Sequence, residues 1–155
     1  MAYNQFDVSY EQISITGGTP LYTIGLIAST NVVVKVLEFS ISFDGSTSSN
    51  TPAQIQFSQC TFTTLAPGTA STSTTPAKKD TGRAETFLLT AATTWTSTPT
   101  TTTRQWGINV GVFNGLYHYI HPFSSPWIAI GGKGCVVKIS AANTVNANGK
   151  MSGEE

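Results

Sequence analysis

Charge is what this chain has least of. Its 155 residues hold 8 Lys and Arg against 8 Asp and Glu, so only 10% are charged and the formal net charge is zero. A typical soluble domain carries roughly 25%. Such a balance excludes a surface built to neutralise nucleic-acid phosphates, which needs clustered cations. The only adjacent cations are Lys78 and Lys79, with Arg83 close by and Asp80 and Glu85 interleaved. That mixture reads as a solvated loop.

Other absences narrow the class further. No run approaches the ~20 apolar residues of a membrane span, so no membrane role is expected. The opening residues 1–7 carry neither a basic nor an apolar region of the secretory kind, and no Asn begins an N-x-Ser/Thr acceptor. The expectation is a chain made in a reducing cytoplasm. Its 2 cysteines, Cys60 and Cys135, sit in apolar strand contexts and read as free buried thiols. No stretch has the i, i+3, i+4 apolar spacing of a substantial helix.

The catalytic inventory is equally thin. The 2 histidines, His118 and His121, are three apart on an expected strand and so point to opposite faces. No Asp or Glu lies within about ten residues to complete a metal site. There is no G-x-S-x-G, no Cys beside a His and an acid, and no phosphate loop. The carboxylates Asp7, Glu11, Asp44, Asp80 and Glu85 fall in turns or at strand ends. The residues give no enzyme, cofactor or metal.

What is present is strand pattern. Residues 32–43 (VVVKVLEFSISF) set Val36, Glu38, Ser40 and Ser42 against Leu37, Phe39, Ile41 and Phe43. Alternation of period two marks a strand with one buried face. Residues 53–62 (AQIQFSQCTF) do the same, and Asp44-Gly45 to Pro52 between them reads as the turn of an antiparallel pair. Further strands are expected at 21–28, 84–92, 101–112, 116–121, 127–130 and 135–142. Asn114-Gly115 and Gly131–Gly134 are expected to turn the chain back. Residues 144–152 read as a weak strand or, at Asn148-Gly149, a turn, and Glu154-Glu155 as a solvated end. Residues 63–83 read as a long Thr/Ser/Pro loop, and connections of that length are usually either functional or mobile. Trp95, Trp106 and Trp127 suit core packing, with an aromatic platform for sugars or a subunit interface as the alternative.

The fold expected is all-β: a single-domain β-sandwich over 18–155, jelly-roll-like if it closes into two Greek keys. Residues 1–17 precede it as an edge strand or as an arm that packs on a neighbour through Tyr3, Phe6 and Tyr10.

Phe43-Asp-Gly-Ser-Thr47 with Asn50-Thr-Pro52, Thr75-Pro-Ala-Lys-Lys-Asp80 with Arg83-Ala-Glu85, and Ala91-Ala-Thr-Thr-Trp95 before a Thr/Pro segment together resemble a family of small structural proteins of tailed bacteriophages. The resemblance covers most of 32–155. It implies a capsid decoration, or cement, protein: a jelly-roll-like sandwich that trimerises on the outside of an icosahedral head. The implied partners are the major capsid protein and copies of the chain itself, and the implied location is the virion surface, after synthesis in the host cytoplasm. No nucleic acid is implied. The parts freest to reach a neighbour are the Tyr3–Tyr10 arm and the loop carrying Lys78, Lys79 and Arg83. The alternative is a carbohydrate- or receptor-binding module of a phage particle, using Trp127, Tyr117 or Tyr119 as stacking faces.

Overall fold

The computed structural model describes residues 4–44, 51–61, 72–82, 84–95, 101–113, 115–122 and 125–155. Twelve strands run through them: β1 (Gln5–Ile15), β2 (Leu21–Ile27), β3 (Val33–Asp44), β4 (Ala53–Thr61), β5 (Thr72–Thr74), β6 (Ala77–Lys78), β7 (Thr90–Trp95), β8 (Thr101–Val110), β9 (Leu116–Ile120), β10 (Trp127–Ile130), β11 (Lys133–Ser140) and β12 (Val145–Glu154). They build two antiparallel sheets packed against each other, with no helix among the described residues. One sheet has the order β10-β3-β12-β1-β6, with β9 also paired to β3; the other has the order β5-β7-β2-β11-β4-β8. The all-β sandwich expected from the alternation is therefore what the chain forms.

The chain moves between sheets rather than along them. Strands β1, β3, β9 and β12 lie in one sheet and β2, β4, β8 and β11 in the other. Within each sheet the order is β9-β3-β12-β1 against β8-β4-β11-β2, the double Greek-key winding of a jelly roll. Among the described strands, no two consecutive in the chain pair with each other. This corrects three expected turns. Strands β3 and β4 lie in different sheets, as do β8 and β9, so neither pair forms the expected hairpin; residues 45–50 and Asn114 lie outside the described residues. Gly131 and Gly132, with φ of 61° and 78°, do make a tight turn, but it passes from β10 in one sheet to β11 in the other. The physical reason is that each strand buries only one face, and two such strands bury those faces equally well across the sandwich as side by side.

The inner faces supply one continuous core. Val34, Phe39 and Ile41 from β3 meet Ile55 and Phe57 from β4 and Val137 and Ile139 from β11. The alternation of β3 is interrupted: Val36 and Phe39 are both buried. The β3–β12 register slips where Glu38 faces Ser152 and Val36 faces Gly153. A bulge at Leu37 adds one residue and resets the faces, so Val36 points inward, not out as simple alternation requires. The bulge also divides the outer edge of β3. Residues 33–36 pair with β10 and residues 38–42 with β9, and the Leu37 carbonyl accepts the His121 N–H at 2.8 Å.

Residues 5–15 are not a detached arm. Strand β1 pairs with β12 from Gln5 to Ile15, interrupted only by a bulge after Tyr10. Its other neighbour is the two-residue β6, so it lies one short strand from the edge. Phe6, Val8, Tyr10 and Ile15 are buried. Phe6 and Tyr10 therefore anchor this chain's own core and are not surface contacts for a neighbour; Tyr3 lies outside the described residues.

The C-terminal stretch is likewise more than a weak strand. Strand β12 sits in the middle of its sheet between β1 and β3, and Asn148-Gly149 is part of it. Gly149 is paired with Tyr10 and Gly153 with Phe6; a Cβ at Gly149 would run into the Tyr10 ring, and one at Gly153 into the Lys35 backbone carbonyl of β3 first and the Phe6 ring second. Glu154 does not end in water: it meets the Lys35 ammonium at 2.8 Å. The Glu155 carboxylate accepts the N–H of Leu88 at 2.9 Å and of Leu89 at 2.9 Å. That pins an extended segment, expected to be strand from residue 84, which becomes strand only at Thr90. Phe87 of that segment packs edge-on against Phe6 at 5.8 Å.

Cys60 and Cys135 lie on adjacent strands one residue out of register, Cys60 opposite Gly134 and Cys135 opposite Gln59, so their side chains leave opposite faces of the sheet. Both thiols are free. Burial pushes both up, Cys135 to about 12.

Gly149→Ala is expected to cost about 1–3 kcal/mol through overpacking against the Tyr10 ring. Urea unfolding checks this, with Ala at exposed Gly111, where a Cβ meets nothing within 4 Å, as the control expected to change little.

Candidate functional site

The described residues contain no group of three His, Cys, Asp or Glu side chains placed to hold a metal ion, and no helix long and apolar enough to cross a membrane. The distinctive chemistry lies along the side of the sandwich where β8 and β9 are the outermost strands. Three features meet there.

The first is an aromatic seam between the sheets. Tyr117 and Tyr119 are the inward residues of β9, and Trp106 faces them from β8 at 5.2 and 5.8 Å between ring centroids. Trp127 of β10 stacks on Phe57 of β4 and on Tyr119. His121 lies edge-on against Trp127 at 3.8 Å. It is buried, and its Nε2 has no hydrogen-bond partner. Burial lowers its pKa to about 4. Burial also raises the Tyr117 phenol, with Tyr119 adding to the effect. The seam is hydrophobic closure: aromatic surface fills the gap where neither edge strand has a neighbour to cover it.

The second is an apolar strip on the outer face. On β9 the outward residues are Leu116, His118 and Ile120, and the two aliphatic ones are 69% and 65% exposed. Along the same edge of β3, Ile128 and Ile130 of β10 and Val33 of β3 itself are also exposed. The strip follows β3 from Ser42 to Val33, roughly 30 Å at the rise of a strand. Its central polar group is already paired: His118 Nε2 lies 3.0 Å from Glu38 Oε1. Glu38 is the acid that local spacing did not offer, brought 80 residues along the sequence by the pairing of β3 with β9. The two histidines do point to opposite faces, His118 outward and His121 inward.

The third is a cleft of about 460 Å³ between β10 and the end of the opposite sheet. Gln59, Thr61, Thr103 and Lys133 line it on one side, Ile128 and Ile130 on the other.

The loop cations do not join these features. Lys79 lies 3.3 Å from Asp7, and Lys150 of β12 lies 3.2 Å from the same carboxylate. Burial would raise Asp7, but the Ser152 hydroxyl and the two ammonium groups together outweigh it and hold the carboxyl below its usual range. Lys78 is half-buried in β6, opposite Phe6. Arg83 and the side chain of Trp95 lie outside the described residues. Sequence reading named the aromatic residues but not Leu116, Ile120, Ile128 or Ile130 as a group. The available signal was the strict alternation Leu-Tyr-His-Tyr-Ile over 116–120, in which both rows are apolar.

Because the folded-state pKa of His121 lies below its ordinary 6.5, the unfolded chain takes up the proton first as pH falls. His121 has no effect on stability above about pH 6.5, and its neutral form is progressively penalised from there towards pH 4, by on the order of 3 kcal/mol in all. His121→Phe is expected to flatten urea midpoints between pH 7 and pH 5. Equal slopes for the two proteins would contradict this assignment.

Compared with family models, with curated proteins and with solved structures, the chain matches none.

Proposed function

We propose that this chain is a non-catalytic structural protein of a bacteriophage particle. In this reading it decorates the outside of an assembled icosahedral head as a trimer and braces neighbouring capsid-protein subunits. The sequence resemblance and the sandwich fold support it. The observation that carries it is the apolar strip of Leu116, Ile120, Val33, Ile128 and Ile130. An exposed apolar patch rimmed by polar residues marks an interaction site on a soluble protein. Here it lies beside an edge strand, β9, that has no second neighbour among the described strands, an arrangement that invites pairing unless it is covered.

The physical logic of such a role is simple. A protein that binds the assembled shell and not its free subunits shifts the equilibrium towards the shell by mass action. Three linked copies bind with avidity even where each contact is small. A chain of zero net charge can be packed many times over one surface without mutual repulsion.

The carbohydrate-binding alternative has less to stand on. It needs open aromatic faces, and those of Trp127 and Tyr119 are stacked on Phe57 and on each other.

Purified chain is expected to co-sediment, at micromolar concentration, with cognate heads stripped of accessory protein. Leu116→Glu with Ile120→Glu, both at exposed positions, should leave the urea midpoint nearly unchanged and weaken that binding at least tenfold. Absence of co-sedimentation, or full binding by the double variant, would count against the proposal.

A further inference from the structure

Three adjacent strands change character at the same height. On β4 the inward row runs Ala53, Ile55, Phe57, then Gln59 and Thr61. On β8 it runs Val110, Ile108, Trp106, then, past a bulge, Thr103 opposite Gln59. On β11 it runs Ile139, Val137, Cys135, then Lys133 opposite Thr61. Each row is apolar through the core and polar at this one end. The change turns the end of the sandwich interior into the 460 Å³ cleft, within the ~300–1,000 Å³ range of ligand sites.

The facing wall is the backbone of β10, whose isoleucine side chains turn to the outer face. Strand β10 pairs with β3 alone among the described strands. The Ile128 carbonyl accepts a hydrogen bond from Gln59 Nε2 at 2.8 Å. That carbonyl therefore points away from β3 and into the cleft, and strand periodicity turns the Ile130 backbone the same way. The Gln59 amide sits where the N–H of an added strand would sit. The cleft thus offers a strand edge, hydroxyls from Thr61 and Thr103, and, among the described lining residues, one charge, the Lys133 ammonium.

We infer that this cleft binds an extended peptide segment carrying an acidic side chain, which adds to the free edge of β10 and sets its carboxylate near Lys133. Backbone pairing supplies affinity and side-chain contacts supply selectivity, as in other strand additions. The lone positive charge fixes the sign of the partner. A sugar is the poorer fit, because no aromatic face is among the described lining residues. The inference does not depend on the decoration role, and its test uses no heads, so the two can fail separately.

The test is selection of bead-bound random heptapeptides, acetylated and amidated at their ends, with labelled full-length chain. Retained peptides are expected to contain Asp or Glu among β-branched residues. They should bind Lys133→Glu at least tenfold more weakly, and shift the amide resonances of Thr61, Thr103, Ile128 and Ile130. Gln59→Ala, which frees the Ile128 carbonyl, should tighten binding severalfold. Lys133 is exposed, so an unchanged urea midpoint for Lys133→Glu is expected. The inference is overturned if no peptide is retained at micromolar concentration, if retained peptides lack acids or bind Lys133→Glu equally well, or if Gln59→Ala weakens them. It is also overturned if free glutamate or glucuronate shifts the same amides at the same concentration, which would make the cleft a small-anion site.

Discussion

Two aromatic rings laid over two glycines hold the sandwich together in its present form. Tyr10 and Phe6 of β1 face Gly149 and Gly153 of β12, and neither glycine position has room for a Cβ. Without those gaps the rings would have no place on the inner face, and β1 would have no register on β12. With them, β12 becomes a central strand with β1 on one side and β3 on the other. The last residues then fall where they can close the structure. Glu154 reaches Lys35, and Glu155 takes the backbone amides of Leu88 and Leu89. The segment so held places Phe87 on Phe6. The first and last strands are thus locked by the same pair of contacts.

The fold class was legible because alternation is a local property. Strands β3, β4 and β11 announce a buried face every second residue. The errors came from what is not local. In β12 the inward row is Val145, Ala147, Gly149, Met151 and Gly153, as regular as any in the chain. It is built from small residues, however, and the glycines are small because of Tyr10, the Lys35 backbone and Phe6, all far away in sequence. The Leu37 bulge could not be read from β3, because it exists only relative to the register of β12. Turn residues such as Gly131-Gly132 reverse the chain equally well within a sheet or between sheets. Strand order is a tertiary choice that local turn chemistry does not make.

The candidate surfaces show the same division. Tyr117, Tyr119 and Trp127 were visible as notable aromatics, but whether they face solvent or one another depends on β8 meeting β9 across the open side. They face one another, and the aliphatic residues between them are left outside. Glu38 beside His118 is likewise a product of strand pairing. Polarity at one end of three separate strands has no meaning until those strands are neighbours. Once they are, Gln59, Thr61, Thr103 and Lys133 form one wall of a cleft.

Function, in this account, follows from a side of the sandwich that the chain seals internally with aromatic rings and leaves apolar externally. Hydrogen exchange on the isolated chain and on the same chain bound to stripped heads tests that most directly. The account predicts slow exchange throughout β12 in both samples, and new protection on binding at the amides of β9 and β10. Unchanged exchange across Leu116–Ile120 and Trp127–Ile130 in the bound sample, with protection elsewhere, would contradict it.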